Sequence, residues 1–305
     1  TYTGASTTNV QRDRGSRSRL LAANAAAQEF YAEALASEEA AEARKYLTER
    51  NFDAAAAAQF GCGFAPSGWD KLTKHLLRKG FEFKELEAAG LSREGKRGPM
   101  DRFHRRLLWP IRVSSGETIG FGARRLFDDD QNQAKYVNTP ETVLYKKSQV
   151  LFGLDRAKRD IARGHQAVVV EGYTDVLASH QSGVKNVVAS SGTALTDGHL
   201  ELLKRFTKNI ALAFDMDLAG DLATRRGIDL ALQRGFNVTV IKLPAEKDPG
   251  DLAVKDPAAW KQAIKDQRPI MEYFFESTLR GRDPDKISDK KKIAAELLAV
   301  IKRID

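Results

Sequence analysis

Val168-Val169-Val170 running into Glu171-Gly172-Tyr173-Thr174-Asp175, and Ile210-Ala211-Leu212-Ala213-Phe214 running into Asp215-Met216-Asp217-Leu218-Ala219-Gly220, decide the fold of this chain. Short aliphatic and β-branched runs bounded by turn residues read as buried strands of a parallel sheet. The carboxyl ends of such strands are where these sheets bind ligands. Clustered acids repel one another, so each needs a raised pKa or a cation. A divalent metal is the simpler answer and points to phosphate chemistry.

The surrounding pattern supports a parallel sheet. A helix to about residue 163 is followed by a strand at 167–170, a helix from Asp175, a strand at 186–189 and a helix at 196–206. A strand at 210–214, a helix at 220–234 and a strand at 238–243 continue the alternation. This rhythm predicts right-handed βαβ crossovers. The 44 positions between Glu171 and Asp215 (215 − 171) suffice for β-α-β-α-β, which brings the two strand ends side by side. Asp215 and Asp217 would then share a face roughly 6–7 Å apart. A further cluster, Asp248-Pro249-Gly250-Asp251, follows the next strand and can join the same mouth. All are hard oxygen donors, suited to Mg²⁺ or Mn²⁺. Single acids at strand ends also cap helices, and Asp175 is placed to do so. Gly172 and Gly220 fit a backbone that approaches a ligand closely.

At 305 residues the chain exceeds one ordinary core. Residues 1–19 read as a linker and 20–150 as a mixed α/β basic subdomain. Residues 151–245 form the metal-binding domain, and 246–305 a helical C-terminal subdomain. Within the second segment, helices are expected at 20–35 and 38–49. Another runs through Trp69, Leu72, Leu76 and Leu77 and closes near Gly80. Residues 93–98 read as an exposed basic loop, and 107–111 and 118–122 as strands joined by the turn Ser114-Ser115-Gly116-Glu117. Lys+Arg number 49 against 41 Asp+Glu, a formal net charge of +8. Between Lys96 and Lys147 eleven basic residues face six acidic ones, a local excess of 11 − 6 = +5. Such a block is permissive for a polyanionic partner. Cys62, the single cysteine, excludes an internal disulfide or a cysteine zinc site in this sequence. No apolar run reaches the roughly 20 residues needed to span a bilayer, so a cytoplasmic location is expected.

Glu-Gly-x-x-Asp at one strand end and Asp-x-Asp-x-Ala-Gly at the other resemble the signature of the TOPRIM fold, shared by primases, topoisomerases and some nucleases. The upstream block narrows the resemblance. Phe121-Gly122-Ala123-Arg124, Lys135-Tyr136-Val137-Asn138-Thr139-Pro140-Glu141-Thr142, Tyr145-Lys146-Lys147 and Leu151-Phe152-Gly153-Leu154 are similar to the basic motif of bacterial replicative DNA primases of the DnaG type. Asp101-Arg102-Phe103-His104-Arg105-Arg106 before Trp109-Pro110-Ile111-Arg112 fits the same family.

The resemblance implies a TOPRIM-type parallel sheet and a DNA-templated RNA polymerase that makes primers from ribonucleoside triphosphates on single-stranded DNA at the replication fork. Carried over residue by residue, Glu171, Asp175, Asp215, Asp217 and Asp248 form the metal patch. Glu171, Asp215 and Asp217 are its catalytic members, with Mg²⁺ as the ion and Mn²⁺ as substitute. Arg124, Lys135, Asn138 and Lys147 face nucleotide and template, with Arg106 as a further basic contact. Whether Glu171 is a ligand or a base stays open. Met216 replaces the family's usual glycine, and Gly250 interrupts its usual Asp-Pro-Asp, leaving open whether Asp251 supplies the missing ligand. Zinc and the replicative helicase belong to domains outside this sequence, and the core is expected to be monomeric. A TOPRIM nuclease or topoisomerase subunit, or a non-catalytic DNA-binding scaffold, is the competing reading.

Overall fold

The computed structural model describes residues 5–130, 132–213, 222–244, 247–279 and 281–301, and divides the chain into two units meeting at Lys147/Ser148. The first unit opens with α1 (Ala5–Ala34), α2 (Ala41–Glu49) and α3 (Ala54–Phe60), then β1 (Gly63–Ala65), α4 (Lys71–Arg78) and α5 (Phe83–Ala88). β2 (Ser92–Gly95), β3 (Gly98–Asp101), β4 (Arg106–Arg112), β5 (Thr118–Arg125) and β6 (Tyr136–Asn138) follow. An antiparallel sheet runs β1-β4-β5-β6, and β2-β3 is a separate hairpin. Leu20, Ala23, Ala27 and Tyr31 form the buried stripe of α1. The Tyr31 ring meets Phe121 of β5 edge-on at 5.3 Å. Pro110 is tolerated inside β4 because pairing with β1 ends at Leu108↔Gly63, so no strand there requires its missing N–H.

Two expectations change in this unit. The first helix begins at Ala5, inside the segment read as linker. Arg19 helps to anchor that stretch, donating to both Glu85 carboxylate oxygens at 2.7 and 2.8 Å and to the Gly80 carbonyl at 2.8 Å. Once the buried stripe fixes one end, adding further turns costs little. The basic segment 93–98 is the β2–β3 hairpin, with Gly98 at φ +111 in its turn. Its strands are too short and polar for an alternation signal. The short elements α3, α5 and β1 likewise escaped the reading.

The second unit contains α6 (Leu154–Gly164), β7 (Ala167–Val170), α7 (Tyr173–Gln181), β8 (Val187–Ala189) and α8 (Asp197–Lys204). Then come β9 (Asn209–Leu212), α9 (Leu222–Gln233), β10 (Asn237–Val240), α10 (Pro249–Lys255) and α11 (Pro257–Lys265). β11 (Arg268–Pro269), α12 (Ile270–Leu279) and α13 (Ile287–Ile301) end it. The sheet order is β11-β10-β9-β7-β8, parallel except for β11 at the edge. All of β7 is buried, and Val169, Val188, Ile210, Leu212, Ile228 and Phe274 share one core. This is the helix-flanked parallel sheet expected from the sequence. β7 and β9 are direct neighbours with Val169 opposite Leu212, so the carboxyl ends of the two strands lie side by side.

Candidate active site

β7 delivers Glu171 to the carboxyl edge of the sheet, where the residue is exposed. Four residues on, Asp175 occupies the third position of α7 and is only 7 % exposed. Both its oxygens accept backbone N–H groups, one from Gly172 at 3.0 Å and one from Gly250 at 3.2 Å. The helix-capping role of Asp175 is therefore real, and α7 starts at Tyr173 rather than at the acid. Asp248 precedes α10 as its N-cap and accepts the Asp251 N–H. Burial first, then the Asp248 charge, and more weakly Glu171, push the Asp175 carboxyl up to about 7, against the two N–H donors. Three of the acids named from sequence thus act on one another. Asp251 turns to Lys255, whose Nζ lies 2.8 Å away. Asp215 and Asp217 lie outside the described residues, as do Met216 and Gly220. Among the described residues no three metal-ligating side chains form a closed group.

Gly250 resolves one departure in physical terms. A Cβ there would stand 2.6 Å from Asp175 Oδ1 and 3.3 Å from Asp175 Cα. A side chain at position 250 would crowd Asp175 because α10 starts directly against the buried carboxylate.

In the first unit, Arg124 of β5 is directly opposite Tyr136 of β6 and donates to its phenol oxygen at 3.0 Å. Lys135 is exposed, with Nζ 5.9 Å from the Tyr136 ring. Asn138, opposite Gly122, is half-buried and interacts with Tyr145. Lys147 is half-buried, its backbone N–H donating to Glu141 at 3.0 Å. Arg106, which also lines a cleft of this unit, is engaged within the fold. Its side chain, 4 % exposed, pairs with Asp130 at 2.7 Å and donates to the carbonyls of Asn132 and Ala134. A guanidinium spent on folding a loop is not offered to solvent.

Residues 30–158 match the model of the DNA primase catalytic core, N-terminal domain, and residues 168–253 match a Toprim-like model. The DNA primase of Mycolicibacterium smegmatis is 64% identical over all of this chain, which covers 49% of that protein. The RNA polymerase domain of Mycobacterium tuberculosis primase DnaG superposes with a TM-score of 0.86 at 57% identity, with 94% of each chain covered. The same domain in complex with a double-stranded DNA oligomer carrying a 6-nucleotide overhang gives 0.83 at 55%, covering 94% of this chain and 92% of the other. The chain belongs to the DnaG primase family. It spans about half the length of the curated relatives it matches.

Seen as a primase-family core, the first unit holds a further feature that the sequence reading missed. A cleft of about 370 Å³ is lined by Trp69, Arg93, Arg102, His104, Arg105 and Asp129, among others. Trp69 is 55% exposed and its ring tilts against His104 at 4.4 Å. Burial, and then the Arg93 charge, lower the Arg102 pKa. Arg105 is balanced by Asp129 at 2.8 Å. Two mutually repelling guanidiniums beside an exposed indole form a surface that suits phosphate and a stacked base. Trp69, Arg93 and Arg102 are spread over 33 positions of sequence (102 − 69), and the β2–β3 hairpin brings the two arginines together. Asp101, at the end of that hairpin, is buried and accepts the Leu72 and Thr73 N–H groups at 2.8 and 2.7 Å, starting α4.

No described helix is long and apolar enough to cross a membrane.

Proposed function

We propose that this chain is a primase catalytic core that synthesises short RNA primers from ribonucleoside triphosphates on a single-stranded DNA template. The observation that carries the reading is the mouth at β7, where Asp175, buried beside Asp248 and more weakly influenced by Glu171, accepts N–H groups from Gly172 and Gly250, in a chain of which 94% superposes on a primase RNA polymerase domain. Toprim-like domains depend on a divalent metal, generally Mg²⁺, and the donor set here is carboxylate oxygen throughout, which fits that ion. Glu171, Asp175, Asp248, Asp215 and Asp217 would hold it, with Mn²⁺ as substitute. Bound there, a divalent ion supplies positive charge to the oxygens that gain charge as phosphoryl transfer proceeds. Asp251, engaged by Lys255, is left out of the set.

Nucleotidyl transfer needs a 3′-hydroxyl aimed at an α-phosphate while pyrophosphate departs. Arg124 and Lys135 bring cationic donors to phosphate, Arg124 with a planar fork that can give two bonds at once. Asn138 and Lys147 extend that surface, and the Arg93–Arg102 cleft takes the template backbone. Template affinity then falls steeply with salt. Helicase docking and zinc binding belong to parts of the primase beyond these residues, and the site of action is the replication fork in the nucleoid.

The test combines single-stranded DNA, ribonucleoside triphosphates and Mg²⁺ or Mn²⁺ with the chain. Short RNA products are expected, and they should disappear with EDTA and in Asp215→Ala. Strand nicking or relaxation without nucleotide incorporation would identify a nuclease or topoisomerase instead. DNA binding indifferent to metal, with no product, would leave a scaffold.

A further inference from the structure

Arg124 is held by aromatic rings. Its Cζ lies 4.2 Å from the Tyr46 ring centroid and 5.4 Å from that of Tyr136. Its Nε is buried and without a hydrogen-bond partner. Among the described residues no carboxylate pairs with it, in contrast to Arg105 and Arg106. Tyr46 comes from the middle of α2, far in sequence from the β5–β6 pair. Its phenol pKa is raised by burial and by the neighbouring Tyr136 phenol, so the ring stays neutral and keeps the electron-rich face that attracts a cation.

We propose that Tyr46 is a positioning residue: its ring packs on the Arg124 guanidinium and, with Tyr136, fixes the orientation in which Arg124 meets a phosphate of the nucleotide or the DNA. This rests on the primase reading above. An aromatic clamp suits the task better than a carboxylate would. It removes the freedom of a long side chain without cancelling its charge, so the guanidinium is ordered in advance and still fully cationic toward phosphate. Tyr46 itself needs no contact with either ligand.

The test uses Tyr46→Phe, Tyr46→Leu, Arg124→Ala and the double variant Tyr46→Leu/Arg124→Ala. The readouts are the ribonucleotide KM and kcat of primer synthesis and, separately, the Kd for single-stranded DNA. Tyr46→Phe keeps the ring and should match the parent chain. Tyr46→Leu should weaken whichever phosphate ligand Arg124 holds by about five-fold, as expected for a partly buried cation–π contact. A rise confined to KM identifies the nucleotide triphosphate, and one confined to Kd identifies the template backbone. In the Arg124→Ala background, Tyr46→Leu should add nothing. That coupling also separates the effect from any route through Arg50, whose Cζ lies 5.4 Å from the same ring.

A Tyr46→Leu variant equal to the parent would overturn the proposal, and so would an undiminished penalty in the Arg124→Ala background. If the parent chain makes no RNA, the primase reading fails, while the coupling measured on DNA affinity still decides the role of Tyr46.

Discussion

Gly250→Ala tests whether the start of α10 is built around the Asp175 carboxylate. The new Cβ would lie 2.6 Å from Asp175 Oδ1, and 3.3 and 3.5 Å from Asp175 Cα and N. Two escapes exist. Rotating Asp175 breaks its bonds from the Gly172 and Gly250 N–H groups, and moving α10 outward stretches the second of these and opens the packing on α7. Overpacking costs about 1–3 kcal/mol, and weakening a hydrogen bond to a carboxylate costs about 1.5–3 kcal/mol. Alanine in a helix returns up to about 1 kcal/mol relative to glycine. The balance is a loss of roughly 2–4 kcal/mol, or about 4–16 °C in the melting of a unit of this size. Gly164 provides the opposite case at the end of α6. A Cβ there meets nothing within 4 Å, and Gly164→Ala should stabilise by about 0.5–1 kcal/mol. Differential scanning calorimetry of the two variants reads both signs. If Gly250→Ala melted at or above the parent temperature, Asp175 would not be pinned between the two helices as described.

Three further outcomes follow from the same geometry. The folded Asp175 carboxyl, at about 7, lies above its ordinary 3.8, so the native state holds a proton that the unfolded chain has released between these values. The stability this confers is fullest below about 3.8 and lost above about 7. At 1.36 kcal/mol per pH unit it amounts to roughly 4 kcal/mol. In EDTA, the stability of the parent chain relative to Asp175→Asn should fall by that order across the window, and a pH-independent difference in urea titrations would contradict it. Arg106→Ala leaves Asp130 and two backbone carbonyls without their donor and should cost about 3–5 kcal/mol. Unchanged urea stability with lost DNA affinity would return Arg106 to the binding surface. Lys135→Ala, at an exposed position, should leave stability unchanged and lower the salt dependence of DNA binding by about one counterion. An unaltered slope removes Lys135 from the phosphate contacts.

The second unit was legible because its strands carry their own signal. Ala167–Val170 and the Ile210-Ala211-Leu212 part of β9 are buried on both faces, so they appear in sequence as uninterrupted aliphatic runs, and their pairing follows from crossover length. The first unit was harder. β1 and β6 are three residues each, and β2–β3 alternates nothing. Their positions come from contacts distant in sequence, such as Gly63 against Tyr31. The same difference appears among the arginines. Arg106 and Arg124 are the same residue type on neighbouring strands β4 and β5, yet one is sealed by Asp130 and the other is clamped by tyrosines. Residue type supplies charge, whereas the direction in which that charge is spent depends on loops that no local pattern encodes.

Asp175 shows why the acid patch must be probed residue by residue. It lies where the amino ends of α7 and α10 meet, and each helix contributes one N–H to it. Those donors and the positive ends of two helices favour the carboxylate, while burial, Asp248 and Glu171 favour the neutral acid. Near neutral pH the two tendencies almost balance, so the patch can fold with part of its repulsion discharged. Loss of activity in Asp175→Ala would therefore mix a missing charge with a broken helix junction. Glu171 separates the two. It is exposed at the end of β7, and Glu171→Gln keeps its shape while removing its charge. An inactive Glu171→Gln chain that melts like its parent would assign that loss to chemistry at the mouth rather than to the fold beneath it.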